Sequence, residues 1–412
     1  MKIERIETIV VDTGKGRTWA FVEIATDEGL VGVGEASQSR LDAAVVAQVK
    51  ALEPLYVGHD PFALIEARAR LLKRPDAGRT LHVAVSSLEQ ALWDIVGKAV
   101  GRPVHELLGG AVREEIPLYA NVAMAAESWT PEPVARWAKA AADDGFAAVK
   151  FNILPIDAGR GPLRSHLGFA KAMDNAVAVV REARAAVGPH VRLLTDWSLA
   201  IGAKDAVRLA DALEPYDLLW IEALRARRSR RARGLPPAHP PAPHGRRAAS
   251  QGRGFPRAAQ ARAADCIMPD VKWLGGILEC RKVAAMAEAF DVEIAPHNMS
   301  GPVATAASAA FSPARRTFSS WNIAAGVPRL ARRARRRHGA RREGDAQARV
   351  GAGTGARLEQ GGCPQACRRG LSRAGRARPG RPQARMRPSV GAAALLLSGK
   401  TASSSAASAT AK

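Results

Sequence analysis

The chain has 412 residues, 47% of them hydrophobic, and a formal net charge of +22 from 61 Lys and Arg against 39 Asp and Glu. This length allows two or three domains, and no apolar run reaches the roughly 18 residues of a membrane-spanning helix. We expect no secretory signal at the N-terminus and, with only 4 cysteines, a reducing and cytoplasmic setting. Composition therefore excludes a disulfide-rich secreted protein and a membrane protein.

The first part of the chain predicts an α+β domain, which we place at residues 1–115. Three segments alternate polar and β-branched residues as strands do: 2–11, 19–25 and 30–35. Three helical patterns follow at 41–52, 61–72 and 83–100. Because the glycine pair Gly32 and Gly34 lies inside a strand, we interpret it as a packing feature.

From residue 116 the pattern changes to short apolar strands that alternate with amphipathic helices. The predicted strands are 116–120, 147–151, 191–196, 218–222, 266–269 and 292–296. The predicted helices are 131–144, 169–187, 203–213, 275–290 and 303–311. Repeated strand–helix units favour a closed (β/α) barrel over 116–311, with an open doubly wound sheet as the alternative.

The excess positive charge is confined to two segments without helical or strand periodicity. Residues 225–262 hold 11 Arg and no acid, residues 312–412 carry a net +19, and the rest of the chain carries −8. Their Arg, Pro, Ala and Gly content is typical of GC-rich DNA read out of frame. We therefore hypothesise a compensated frameshift over about 223–262 and a second frameshift after residue 311. As written, 312–412 predicts a disordered tail without a barrel strand.

A basic nucleic-acid-binding protein is the alternative class of function. Arginine-rich segments bind phosphate backbones without sequence specificity. The two basic segments hold few aromatic side chains for base stacking, namely Phe255, Phe318 and Trp321, and no recognised binding motif. We therefore expect no specific nucleic-acid partner.

Polar side chains close or follow five predicted strands. They are Lys150, Asp196, Glu222, Asp270 and His297. One such residue is more often a helix cap or a loop residue, but five at successive strand ends favour a functional site at the barrel mouth. Two carboxylates on neighbouring strands suit a hard cation such as Mg²⁺.

One strand is missing from the predicted series. Glu222 and Asp270 are 48 residues apart, whereas one strand–helix unit takes about 25. A further strand should therefore end near residue 246, inside the first basic segment. Arg246 and Arg247 stand there, where an acidic ligand would be expected.

Six segments resemble the mandelate racemase/muconate lactonizing enzyme family of the enolase superfamily. They read SSLEQALWDIVGKAVGRPVHELLGG, AAVKFN, LLTDW, LLWIE, DCIMPDVKWLGGILE and EIAPHN. The resemblance covers about residues 1–224 and 263–311. It implies a (β/α) barrel of enolase-superfamily type with an N-terminal α+β capping domain, and a homo-oligomer. It also implies that a loop at about 13–18, with Lys15 and Arg17, closes over the substrate.

The family's chemistry is abstraction of the proton α to a carboxylate, through an enediolate that Mg²⁺ stabilises. By resemblance, Asp196 and Glu222 are metal ligands. Asp270 and His297 match a dyad in which the carboxylate orients the imidazole and the imidazole moves the proton. Lys150 matches a lysine beside the substrate carboxylate.

Asn152 stands where racemases of the family carry a second lysine as the base on the opposite face. We therefore predict a Mg²⁺-dependent hydro-lyase that dehydrates a sugar acid, an aldonate or aldarate. A racemase, epimerase or cycloisomerase of the same family is the alternative. Because one metal ligand and the barrel end are missing, we expect weak metal binding, exposed strand edges, poor folding and low activity.

Overall fold

A computed structural model describes fifteen parts of the chain. They are residues 1–14, 17–37, 41–73, 77–112, 115–123, 126, 128–153, 156–157, 161–162, 166–197, 203–222, 245–248, 265–312, 321–324 and 347–349. No helix within these ranges is long and apolar enough to cross a membrane.

The N-terminal domain is a three-stranded antiparallel sheet covered by helices, as the sequence predicts. Its strands are β1 (Ile3–Gly14), β2 (Arg17–Thr26) and β3 (Val31–Glu35), in that order in the sheet. Its helices are α1 (Asp42–Leu52), α2 (Pro61–Ala69), α3 (Arg79–Val100) and α4 (Val104–Leu107).

Strand β3 packs closely against helix α3 because two of its residues lack side chains. A Cβ atom on Gly32 would lie 2.1 Å from the carbonyl oxygen of Ala91, and one on Gly34 would lie 1.8 Å from that of Ser87. Any larger residue would therefore push the sheet away from the helix. This finding confirms the packing interpretation of the two glycines.

The second unit is a parallel sheet whose strands alternate with helices. Its first strands are β4 (Glu115–Asn121) and β5 (Ala148–Asn152), followed by a small hairpin of β6 (Ile156–Asp157) and β7 (Gly161–Pro162). The sheet continues with β8 (Arg192–Asp196), β9 (Leu218–Glu222), β10 (Gly245–Ala248), β11 (Cys266–Ile267) and β12 (Glu293–Ile294). The helices are α5 (Pro131–Asp143), α6 (His166–Val187), α7 (Ala203–Leu213), α8 (Val271–Leu274), α9 (Ile277–Ala289) and α10 (Pro302–Phe311).

Successive strands of this sheet are neighbours in space, in the order expected of a (β/α) barrel. The order runs from β12 through β11, β10, β9, β8 and β5 to β4. Every predicted strand and helix has a counterpart. Strand β10 also lies between β9 and β11, where the long spacing predicts a further strand. The predicted fold class, a (β/α) barrel with an α+β capping domain, is confirmed.

The expectation of no barrel strand after residue 311 is wrong. Strand β13 (Trp321–Ala324) pairs in parallel with β4, and β14 (Gln347–Arg349) pairs with β4 in antiparallel fashion. They are only 4 and 3 residues long and are flanked by arginine-rich sequence, so they are too short for a periodic pattern to identify them from sequence alone. The remainder of the predicted disordered tail lies outside the described residues, and the domain boundaries at 115 and 311 stay predictions.

Candidate active site

One layer of side chains at the carboxyl ends of the strands contains the five predicted site residues. A buried apolar cluster includes Ala148, Leu194, Trp220, Met268 and Ala295, on five different strands or strand ends. Alternate residues of a strand face the same side of a sheet. Lys150, Asp196 and Glu222 follow the first three of these residues by two positions within their strands, and are therefore on the same face. Asp270 and His297 follow Met268 and Ala295 by two positions, just after β11 and β12.

The first group in this layer joins a buried lysine to two carboxylates. Asp196 and Glu222 are register partners on β8 and β9. The Lys150 ammonium lies 3.5 Å from Oδ2 of Asp196 and also contacts Oε2 of Glu222. Lys150 and Glu222 are each only 1% exposed, so these charges interact with little screening by water.

The second group is a hydrogen-bonded histidine and aspartate. Nδ1 of His297 lies 2.7 Å from Oδ2 of Asp270, and the backbone N–H of Lys272 donates to Oδ1 of Asp270 at 2.9 Å. Burial raises the pKa of Asp270, but the Lys272 ammonium and the hydrogen bonds outweigh this effect and lower that pKa. Asp270 is therefore an ionised acceptor at neutral pH. A proton on Nδ1 of His297 leaves the basic lone pair on Nε2.

An aromatic ring that the sequence did not identify packs on this histidine. Trp273 in α8 stacks on the His297 imidazole with ring centroids 4.9 Å apart and an interplanar angle of 28°. The Arg79 guanidinium lies 4.9 Å from the centroid of the Trp273 ring. The imidazole plane is thus fixed by a hydrogen bond at its edge and by a ring at its face.

The structure describes two of the predicted substrate-binding residues, Asn152 and Arg17. Asn152 is buried at the end of β5 and is the register partner of Asp196. Arg17 begins β2, where its backbone pairs with Gly14. Lys15 lies outside the described residues.

Asn121 is a sixth member of the layer that sequence reasoning missed. It lies two residues after Tyr119 of the same buried cluster and is 5% exposed. Its side-chain oxygen accepts a hydrogen bond from the N–H of Ala123 at 3.0 Å. Asn121 is the last residue of β4, as Asp196 and Glu222 are the last residues of β8 and β9. Its position as a polar residue at a strand end was the sequence feature that could have identified it.

Two carboxylates of the layer could supply part of the oxygen ligand set of a divalent cation. Asp196 and Glu222 both reach the Lys150 ammonium, so oxygen ligands from neighbouring strands are available at one point. Within the described ranges, no group of three or more His, Cys, Asp or Glu residues forms a metal site. On β10, Arg246 pairs with Ile221, which places Arg247 level with Glu222 in the sheet register.

The cysteines do not form a second metal centre in the described part of the chain. Cys266 and Cys280 are both buried and are not joined in a disulfide. Burial raises the pKa of the Cys280 thiol well above its usual value, so the thiol is protonated and a poor ligand. Cys363 and Cys367 lie outside the described residues.

Two family models match the chain in sequence. Residues 4–109 match the mandelate racemase/muconate lactonizing enzyme N-terminal domain, and residues 133–361 match the enolase C-terminal domain-like family. The chain is 37% identical over 330 residues to a D-galactonate dehydratase of Ralstonia nicotianae, covering 78% of this chain and 80% of that protein. It is 36% identical over 318 residues to one from Pectobacterium atrosepticum, covering 74% and 77%.

Solved structures show the same relationship. A mandelate racemase/muconate lactonizing enzyme-like protein from Rubrobacter xylanophilus superposes with a TM-score of 0.67 at 28% identity, covering 79% of this chain and 86% of that one. An enolase from Agrobacterium radiobacter, with bound Na and L-malate, gives a TM-score of 0.65 at 30% identity, covering 78% and 80%. The chain therefore belongs to the mandelate racemase/muconate lactonizing enzyme family of the enolase superfamily.

Proposed function

We propose that this chain is a hydro-lyase that removes water from a sugar acid, an aldonate or aldarate. The observation that carries the proposal is the pair formed by Asp270 and His297 in the same layer as Lys150, Asp196 and Glu222. This arrangement supplies a base for a carbon acid and positive charge for a carboxylate. Relatives named D-galactonate dehydratase support the substrate class.

His297 is the proposed base. Its Nε2 atom takes the proton α to the substrate carboxylate, and the ionised Asp270 stabilises the imidazolium that results. A general acid then protonates the β-hydroxyl, which leaves the enediolate as water, and the resulting enol becomes a 2-keto acid by taking up a proton at carbon. Trp273 holds the imidazole plane during the transfer.

Lys150 is the proposed partner of the substrate carboxylate. Its ammonium is buried, so its attraction for a carboxylate is stronger than in water. When bound by Asp196 and Glu222, Mg²⁺ would stabilise the negative charge that develops on the substrate. Both carboxylates also hold the lysine in place, because its ammonium contacts each of them.

Asn152 favours dehydration over racemisation. Racemisation needs a proton-transferring group on each face of the α-carbon, and the neutral amide of Asn152 cannot act as a base. Dehydration needs one base together with an acid for the leaving hydroxyl. A racemase, epimerase or cycloisomerase is the alternative outcome of the test below.

The test is product formation from a panel of aldonates and aldarates with Mg²⁺. A 2-keto acid product in the wild type, absent in His297→Gln, supports the proposal. His59→Gln is the matched control, because His59 is an exposed histidine of the capping domain. Change of optical rotation without a keto acid would indicate a racemase. No change with any acid would contradict the proposed function.

We propose further that the small carboxylate is the specific partner of the chain and that Arg-rich segments bind nucleic acid only through charge. Such binding should fall steeply with salt in a gel shift and show no sequence preference.

A homo-oligomer and a cytoplasmic, reducing setting remain predictions from the resemblance and from the 4 cysteines. Sedimentation of the purified chain tests the first.

A further inference from the structure

The capping domain supplies a buried carboxylate to the helix that follows the proposed base. Glu35, the last residue of β3, is fully buried. Its Oε1 accepts a hydrogen bond from the N–H of Gly301 at 2.6 Å, and its Oε2 accepts one from the N–H of Ala304 at 2.9 Å. Gly301 is the N-cap of α10 and has no side chain to cap the helix itself. Glu35 therefore satisfies N–H groups that the helix leaves open, and its charge suits the positive helix terminus.

Only a short segment separates this contact from the proposed base. His297 is anchored by its own N–H, which donates to the carbonyl oxygen of Pro269 at 3.0 Å. The segment between His297 and Gly301 has no regular secondary structure. Asn298 in this segment donates to the side chain of Thr305 at 2.6 Å. The segment thus runs from a backbone anchored at His297 to the contact of Glu35 with Gly301.

The contact between Glu35 and Gly301 leaves no space for a side chain at residue 301. A Cβ atom on Gly301 would lie 3.0 Å from both carboxylate oxygens of Glu35 and 3.0 Å from the Trp19 ring. The backbone of Glu35 is itself fixed by Gln90, which accepts from its N–H at 3.2 Å and donates to its carbonyl at 3.4 Å. The carboxylate is therefore held rigidly against the segment.

A second contact from the same strand end reaches the other member of the dyad. The Lys272 ammonium donates to the carbonyl oxygen of Ser37 at 2.9 Å, and the Lys272 backbone N–H donates to Asp270. Residues 35 and 37 of the capping domain thus contact both segments that carry Asp270 and His297.

We propose that Glu35 is a positioning residue for His297. By fixing Gly301, it sets the place of the imidazole relative to Asp270, so that docking of the capping domain assembles the base. This inference rests on the role proposed for His297. Its prediction about imidazole geometry is independent of any substrate.

The chain offers a matched control in Glu89. This buried carboxylate of α3 accepts hydrogen bonds from the N–H groups of Ile277 and Leu278 at 2.7 Å and 2.8 Å. It thus caps α9 from the capping domain as Glu35 caps α10. Helix α9, which begins at this contact, carries no proposed catalytic residue, and Asp270 lies at the opposite end of α8. Glu35→Gln and Glu89→Gln therefore change the same kind of contact, a carboxylate at a helix N-terminus, and only the first should disturb His297.

The experiment compares the two variants by nuclear magnetic resonance of ¹⁵N-histidine-labelled protein and by kinetics. The Nδ1–H signal of His297 is assigned by its loss in His297→Gln. We expect Glu35→Gln to shift or broaden that signal and to lower kcat by about 10-fold to 100-fold with KM within about twofold. Glu89→Gln should leave the signal in place and change kcat by no more than about twofold. Gly301→Ala, which crowds the same contact, should reproduce the change in the signal.

Two results would overturn the inference: an unchanged His297 signal in both Glu35→Gln and Gly301→Ala, or equal effects of Glu35→Gln and Glu89→Gln. If Glu35→Gln does not fold, Gly301→Ala decides alone. If the wild type turns over no sugar acid, the proposed function fails, and the resonance comparison still decides the role of Glu35.

Discussion

Nδ1 of His297 lies 2.7 Å from Oδ2 of Asp270, and the two residues follow the neighbouring strands β12 and β11. The aspartate has a lowered pKa, so it is an ionised acceptor that fixes the imidazole tautomer with the proton on Nδ1. This relationship leaves Nε2 of His297 free of the Asp270 contact and supports its proposed role as the base.

Asp270→Asn should remove most of the activity. The amide no longer stabilises an imidazolium and allows the wrong tautomer, so kcat should fall by at least about 100-fold. The double variant with His297→Gln should be no worse than His297→Gln alone, because the two residues act as a unit. Steady-state kinetics of the three variants measure this, and additive losses would contradict the dyad.

Trp273 should affect the rate through the orientation of His297. Trp273→Ala removes the ring that stacks on the imidazole, and we expect kcat to fall by about tenfold. Trp273→Phe keeps a ring and should fall less. Arg79→Gln keeps the ring and removes one of the two cations near it, the other being Lys272, and serves as the control for charge. Equal rates in Trp273→Ala and the wild type would contradict the role of the stack.

Glu89 should make the stability of the fold depend on pH. Burial raises the pKa of Glu89 from 4.5 to about 7, although hydrogen bonds from Leu278, Ile277 and Trp93 oppose the shift. Because this folded-state pKa is raised, the favourable contribution is fully present below about pH 4.5 and is lost as the pH rises to about 7. Between pH 4.5 and pH 8, the difference in unfolding free energy between Glu89→Gln and the wild type should change by about 3 kcal/mol. Urea unfolding at both pH values measures it, and parallel pH dependences would refute the shift.

An acid on β10 should strengthen the proposed metal site. Arg247 is level with Glu222 in the register, so Arg247→Glu adds a carboxylate at the strand where the sequence predicts a third ligand. We expect the affinity for Mn²⁺, followed by its electron paramagnetic resonance, to rise by at least about tenfold. Arg246→Glu makes the same change of charge at the neighbouring position of the strand and serves as the control. Equal gains in both variants would show a nonspecific charge effect.

The frameshift hypothesis makes its own prediction. The coding DNA of residues 223–262, and of the region after residue 311, should read in another frame as patterned strand–helix sequence. An acidic residue should then appear near position 246. Absence of such a pattern in both other frames would rule out the hypothesis.

The sequence predicted those elements whose pattern is local. Strand β9 is an apolar run that ends at Glu222, and its bounds match the prediction. Strands β10 and β13 are not apolar runs. They are recognised in the structure by their pairing with neighbouring strands, which local sequence does not report. The spacing between Glu222 and Asp270 still indicated the place of β10.

The same distinction separates the predicted site residues from those that were missed. Asp196 and Glu222 end their strands and Lys150 lies near the end of β5, so each could be identified from its own strand. Glu35 and Gly301 are 266 residues apart, so only docking of the capping domain brings them together. No periodicity in the sequence reports such a contact.

Exchange of the α-proton of sugar acids with solvent deuterium reports proton abstraction by His297 without requiring any later step. Followed by proton magnetic resonance with Mg²⁺ present, the wild-type chain should exchange the proton α to the carboxylate of at least one aldonate or aldarate. His297→Gln should abolish that exchange, and His59→Gln should leave it unchanged. Exchange that persists in His297→Gln would contradict His297 as the base. Absence of exchange in the wild type with every acid would contradict the proposed hydro-lyase activity.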